Sequence, residues 1–118
     1  MSRLKTSAMA QFGVIFITAP SFEEAEKIAA SLLGKHLVAC VNIFSEIRSL
    51  FWWEGELCKE KEVFLMAKTM TKLFDDIDQE VRGLHSYDVP EIIMLPIQAG
   101  SQKYLDWIKE VTKVPAKS

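Results

Sequence analysis

KHLVACVNIFSEIRSLFWWEGELCKEKEVFLMAKT, residues 35–69, decides the fold. It holds two long strand-forming arms joined at Glu54-Gly55, and Gly55 supplies the positive φ that a tight hairpin turn requires. The first arm, Leu37 to Trp53, is rich in Val, Ile, Phe and Trp and contains no proline. Extended at about 3.3 Å per residue, it would span roughly 55 Å. A compact domain of this length has a diameter of only roughly 35 Å. A sharp bend at a bulge near Ser45-Glu46 is therefore expected. The tip, Phe51-Trp52-Trp53, forms an apolar patch that a second subunit is expected to cover.

On the N-terminal side of the hairpin, Phe12 to Ala19 is a continuous apolar run, expected as a strand buried on nearly both faces. Pro20-Ser21 opens a helix in which Ser21 and Glu24 have capping-box spacing and Gly34 stands at the C-terminal cap. On the other side, Leu73, Phe74, Ile77, Val81 and Leu84 keep helical step, which predicts a helix from about Thr71 to Arg82 stopped by Gly83. Val89 to Ile97 is expected as a fourth strand, with Pro90 and Pro96 confined to its ends. Ser101 caps a last helix striped by Tyr104, Leu105, Ile108 and Val111.

This order, β-α-β-β-α-β with an additional C-terminal helix, is the ferredoxin-like split βαβ pattern of the α+β class, here with a long protruding hairpin. Residues 10–112 are expected to form one domain, and 1–9 and 113–118 to be flexible ends. Along the second strand, Leu37, Ala39, Val41 and Ile43 alternate with Val38, Cys40, Asn42 and Phe44, and neither set is solvent-like. Both sheet faces want cover and the chain has helix for one, so association through the open face is expected.

An apolar fraction of 49% and a charged fraction of 25% are those of an ordinary globular domain, and 118 residues leave room for one core. A net charge of −2 argues against a nucleic-acid or anionic-membrane surface. No apolar run reaches the length of a membrane span. Arg3 and Lys5 before Ala8–Ala19 imitate a secretory leader, but cleavage near Ala19 would remove a strand that the fold needs. If Trp53 pairs with Glu56, Cys40 and Cys58 lie roughly 35 Å apart on opposite arms, too far for a disulfide. Two such cysteines fit a reducing compartment, the cytoplasm.

Few residues suggest chemistry. His85, Asp88 and Glu91 recur at spacing three in a polar connection, where His85 either caps a helix or binds a borderline cation such as Cu(II). Lys68 interrupts an apolar strand, either snorkelling from its end or receiving an anion. Trp52 and Trp53 suit an interface better than a stacking platform. Lys59-Glu60-Lys61-Glu62 is expected as a solvated strand segment, and Cys40 as an inert core thiol. No phosphate-binding glycine loop is present.

Several segments resemble one family, the CutA-like divalent-cation tolerance proteins. They are Thr18-Ala19-Pro20, Ala39-Cys40-Val41-Asn42, Trp53-Glu54-Gly55, Lys68-Thr69, His85-Ser86-Tyr87-Asp88-Val89-Pro90-Glu91, Leu95-Pro96-Ile97 and Tyr104-Leu105-Asp106-Trp107. The resemblance covers residues 12–112 and implies a tight homotrimer of ferredoxin-like protomers with hairpins crossing between subunits. It also implies tolerance to copper and other divalent cations, and in mammalian members a link to acetylcholinesterase anchoring. The family's described cation ligands fall at Ile17, Leu84 and His85, so only His85 matches and a weakly bound Cu2+ is expected. A polar cleft between subunits, to which Trp53, Lys68, Tyr87 and Glu91 contribute, suits a small anionic or zwitterionic ligand. Two functions follow: a non-enzymatic trimer that binds cations or a metabolite, or an enzyme using Lys68, Tyr87 and Glu91 for acid–base work.

Overall fold

The computed structural model describes residues 10–112; the ends expected to be flexible, 1–9 and 113–118, lie outside the described residues. In chain order the elements are β1 (Phe12–Ala19), α1 (Phe22–Gly34), β2 (Cys40–Trp53), β3 (Glu56–Met70), a 3-10 turn (Thr71–Leu73) leading into α2 (Phe74–Leu84), β4 (Ile92–Pro96) and α3 (Gln102–Val111). The four strands form one antiparallel sheet in the order β2-β3-β1-β4. This is the ferredoxin-like α+β arrangement read from the sequence.

Strand alternation divides the sheet into two unlike faces. Ile15, Ile17, Leu65 and Ala67 point to one side and are fully buried with Ala25, Ile28 and Leu32 of α1 and Ile77 and Val81 of α2. On the other side, Val14, Phe16, Phe44, Phe64, Met66, Ile93 and Leu95 share rungs across all four strands. Phe44, Ile93 and Leu95 there are 48%, 47% and 44% exposed. Phe64 stacks obliquely on Phe16 and Phe44, with ring centroids 5.2 and 5.6 Å apart. The expected second apolar face is present.

The hairpin bends where the sequence suggests. Pairing runs from Cys40↔Lys68 to Phe44↔Phe64, then resumes at Ile47↔Glu62, leaving Ser45-Glu46 as a one-residue bulge. Beyond it a two-stranded ribbon continues to Trp53↔Glu56. The turn puts Glu54 at φ 50° and Gly55 at φ 83°, the doubly left-handed geometry of a hairpin whose twist matches its strands. The ribbon extends the molecule: its radius of gyration is 15.3 Å, against about 13–14 Å for a compact chain of this length. Trp52 at the tip is 73% exposed.

Element ends differ from expectation in instructive ways. The second strand begins at Cys40 rather than Leu37, because the Leu37 N–H is used to close α1. There the left-handed residue is His36 (φ 59°), not Gly34. The Leu37 N–H donates to the Leu32 carbonyl and the His36 N–H to the Leu33 carbonyl, a Schellman closure in which Leu32 and Leu37 are buried and Leu33 is exposed. His36 Nδ1 also lies 3.2 Å from the Val111 carbonyl, tying this corner to the end of α3. Gly83 does not stop α2; the helix runs to Leu84 and ends where His85 turns extended. β4 starts at Ile92, later than expected: Pro90 has no N–H to give a ladder, and β1 has partners only for Ile92–Pro96. Ser101 occupies the N-cap of α3 but its hydroxyl makes no capping bond.

Candidate functional site

The connection between α2 and β4 is pinned from three sides. Ser21 Oγ accepts the Glu24 N–H at 3.1 Å, half of the expected capping box. The Glu24 carboxylate does not reach back. It accepts instead from the Ser86 N–H at 2.8 Å and the Ser86 hydroxyl at 3.1 Å. His85, buried, lies with Nε2 2.7 Å from the Thr18 carbonyl, while the Tyr87 N–H donates to its Nδ1 at 3.1 Å. A carbonyl only accepts, so Nε2 carries the proton and Nδ1 is the acceptor. The Tyr87 ring packs against the imidazole at 4.8 Å and its hydroxyl donates to Glu62 Oε2 at 2.8 Å.

These bonds shape one wall of a groove of about 970 Å³. The opposite wall is the ribbon past the bulge, which contributes Phe51, Trp53, Glu60 and Glu62; Tyr87, Asp88 and Glu91 line the near side. Burial, and then the Tyr87 hydrogen bond to Glu62, raise the phenol above its ordinary range, so it stays protonated at neutral pH. Burial first and the Glu62 charge second also push the Glu91 carboxyl up.

Of the four expected cleft residues, the protomer brings together Trp53, Tyr87 and Glu91. Lys68 is on the same sheet face but stands apart: from Glu62 to Lys68 is about 20 Å of strand. Its Nζ donates to Asn42 Oδ1 and lies 3.9 Å from Cys40 Sγ. Tyr104 Oη lies 3.9 Å from the same thiol, so Cys40 belongs to a polar corner rather than to the core. Burial and then this thiol raise the Tyr104 hydroxyl.

Glu62 is the residue the sequence reading missed. Expected in solvent, it is only 6% exposed, because it lies on the open-face side of β3 beneath the Tyr87 hydroxyl. The signal was present. In Lys59-Glu60-Lys61-Glu62 the acids hold the same alternate positions as Cys58, Phe64 and Met66, so both acids face the groove side.

A resident divalent cation does not fit the residues at His85. The single lone pair of the imidazole accepts the Tyr87 N–H, and Ile17 and Leu84 supply no donor atoms. Among the described residues no three His, Cys, Asp or Glu side chains converge to hold a metal ion.

A four-stranded sheet covered on one face, a bent hairpin ribbon and a groove beneath it define a ferredoxin-like protein with a ligand-sized concavity. Within that class the chain belongs to the CutA1 divalent ion tolerance protein family, whose profile matches residues 13–111. It is 48% identical over 99 residues to the divalent-cation tolerance protein CutA of Archaeoglobus fulgidus, covering 84% of this chain and 96% of that one. It is 42% identical over 100 residues to the chloroplastic protein CutA 1 of Oryza sativa, where it covers 85% of this chain but spans only 56% of the relative's length. Among solved structures, the periplasmic divalent cation tolerance protein CutA of A. fulgidus superposes with a TM-score of 0.84 at 47% identity, over 86% of this chain and 99% of that one. The Thermus thermophilus Cut A1 structure does so with a TM-score of 0.85 at 43% identity, over 86% and 99%.

Proposed function

We propose that this chain acts as a non-enzymatic homotrimer contributing to divalent-cation tolerance, copper included, through ligand clefts bordered by Trp53, Tyr87 and Glu91. One observation carries the reading: the sheet presents a continuous apolar face, from Phe44 through Phe64 and Phe16 to Ile93, that its own helices leave open. Monomers rarely leave so large an apolar patch in water, and the exposed Trp52 at the ribbon tip adds to it. Lys68 stands at the far end of that face, outside the protomer's cleft and bonded to Asn42. Acid–base catalysis finds less support, because Tyr87 holds its proton against Glu62. His85 acts here as a strut for the Tyr87 loop, so a role in copper tolerance does not require a tight resident ion.

Free Cys40 and Cys58 support a reducing compartment such as the cytoplasm. No described helix is long and apolar enough to cross a membrane.

Sedimentation velocity at micromolar concentration tests the assembly. The expected result is a trimer for the unmodified protein and dissociation for Trp52→Glu. A compact, soluble monomer from unmodified protein sinks the proposal.

A further inference from the structure

Glu62 is the most deeply buried acid of the groove. It is 6% exposed, and its one side-chain hydrogen bond among the described residues comes from Tyr87. A carboxylate has room for about four such bonds. Among the described residues no cationic side chain pairs with Glu62, nor with Glu60, Asp88 or Glu91. Among the described residues Arg48 is the single basic one on the groove's lining, against those four acids. Burying an ionised carboxylate without a counter-charge is unfavourable, and a second carboxylate close by adds to the cost. A bound cation relieves both.

The other surfaces narrow the class. Trp53, Phe51 and Tyr87 give the groove aromatic walls, and a ring face attracts alkylammonium and quaternary ammonium groups. A metal ion needs several oxygen or nitrogen ligands converging within about 2.0–2.6 Å, and the described residues offer no such cluster. A volume of about 970 Å³ suits an organic molecule.

We propose that the groove binds a small organic cation, an alkylammonium or quaternary ammonium compound, with its charge between Glu62 and Glu91 and its hydrocarbon body against Trp53 and Tyr87. The proposal rests on reading the groove as a ligand cleft, and it reverses the ligand charge expected from the sequence. That expectation counted Lys68 into the cleft and left Glu60 and Glu62 out of it.

Calorimetric titration of the full chain at low salt tests it, with butylammonium and tetramethylammonium chlorides as probes and butanol and butyrate as neutral and anionic counterparts. Saturable binding of the ammonium compounds alone is expected. Glu62→Gln and Glu91→Gln should each weaken it by about tenfold or more. Glu91→Gln keeps the result readable should the buried Glu62 variant misfold. Binding should also fade as acid protonates Glu91. No saturable binding, equal binding of butanol, or affinity unchanged in both variants overturns the proposal. So does ammonium binding that appears only in Lys68→Met, which would make a neighbour's lysine the natural occupant. Sedimentation of the same samples separates the two readings: a trimer that ignores ammonium refutes the cation alone, and a monomer that binds it refutes the trimer alone.

Discussion

Leu65 and Phe64 are adjacent on β3 and live in different environments. Leu65 is fully buried in the core on the helix-covered face, whereas Phe64 lies on the opposite face, between the Phe16 and Phe44 rings. One strand thus serves two apolar surfaces, one closed by the chain itself and one that its own helices leave open. The difference shows that burial within a protomer is a poor guide to which apolar residues matter. Under the proposed assembly, a half-exposed phenylalanine on the second face is constrained like a core leucine, with a neighbouring protomer setting the constraint.

The largest effect should come from breaking the closed side. Leu65→Ala should cost about 2–5 kcal/mol through lost burial and an unfilled cavity, read as a lower denaturant midpoint at any protein concentration. Phe64→Ala should instead flatten the dependence of that midpoint on protein concentration, by weakening the proposed association. Equal, concentration-independent losses from both substitutions would erase the distinction between the faces.

A smaller effect tests the groove end of the open face. Tyr87→Phe removes the donor to the buried Glu62 carboxylate and should destabilise by about 1–3 kcal/mol. Circular dichroism during urea unfolding reads this directly. An unchanged midpoint would mean that Glu62 has a better partner than Tyr87.

The smallest effect belongs to the helix side, away from either apolar surface. Hydrogen bonds from Lys35 (2.8 Å) and then Ser31 hold the Glu80 carboxyl below its ordinary range. A carboxyl depressed on folding contributes stability that is complete above its unfolded pKa, near 4.5. That contribution is lost as pH falls through the lower folded value. Lys35→Met should remove part of the acid sensitivity below about pH 4.5, worth under about 1 kcal/mol because Lys35 is largely in solvent. Identical acid-unfolding profiles for the two proteins would remove this pair from consideration.

The hairpin and its bend were legible because their causes are local or metric. Gly55 allows the turn, β-branched and aromatic residues fill the arms, and a straight arm would be longer than the molecule. The boundaries at Gly83 and Val89 were less legible. A glycine can finish a helical turn as well as stop one, and α2 ends through the anchoring of the His85 side chain to Thr18, a residue 67 positions away. The groove was half legible. Trp53, Tyr87 and Glu91 stood out by type, but membership of the groove depends on which side of a strand each residue takes. The alternation of lysine and glutamate on β3 was seen as a charge pattern and not as a facing pattern.

The bulge at Ser45-Glu46 has a further meaning as a change of phase. Before it, the even-numbered residues of β2, Cys40, Asn42 and Phe44, face the side away from the helices. After it, the odd-numbered ones do: Ile47, Ser49, Phe51 and Trp53, opposite Glu62, Glu60, Cys58 and Glu56. Losing one residue here would restore an unbroken ladder with the same outer pairs, Ile47 opposite Glu62 and Phe51 opposite Cys58, and would remove the local bend and added twist of the bulge. The extra residue therefore sets where the ribbon points, while the facing of its aromatic residues is fixed by the pairing that runs back from the turn at Trp53↔Glu56. In an ordinary surface loop the same length change would be absorbed without consequence.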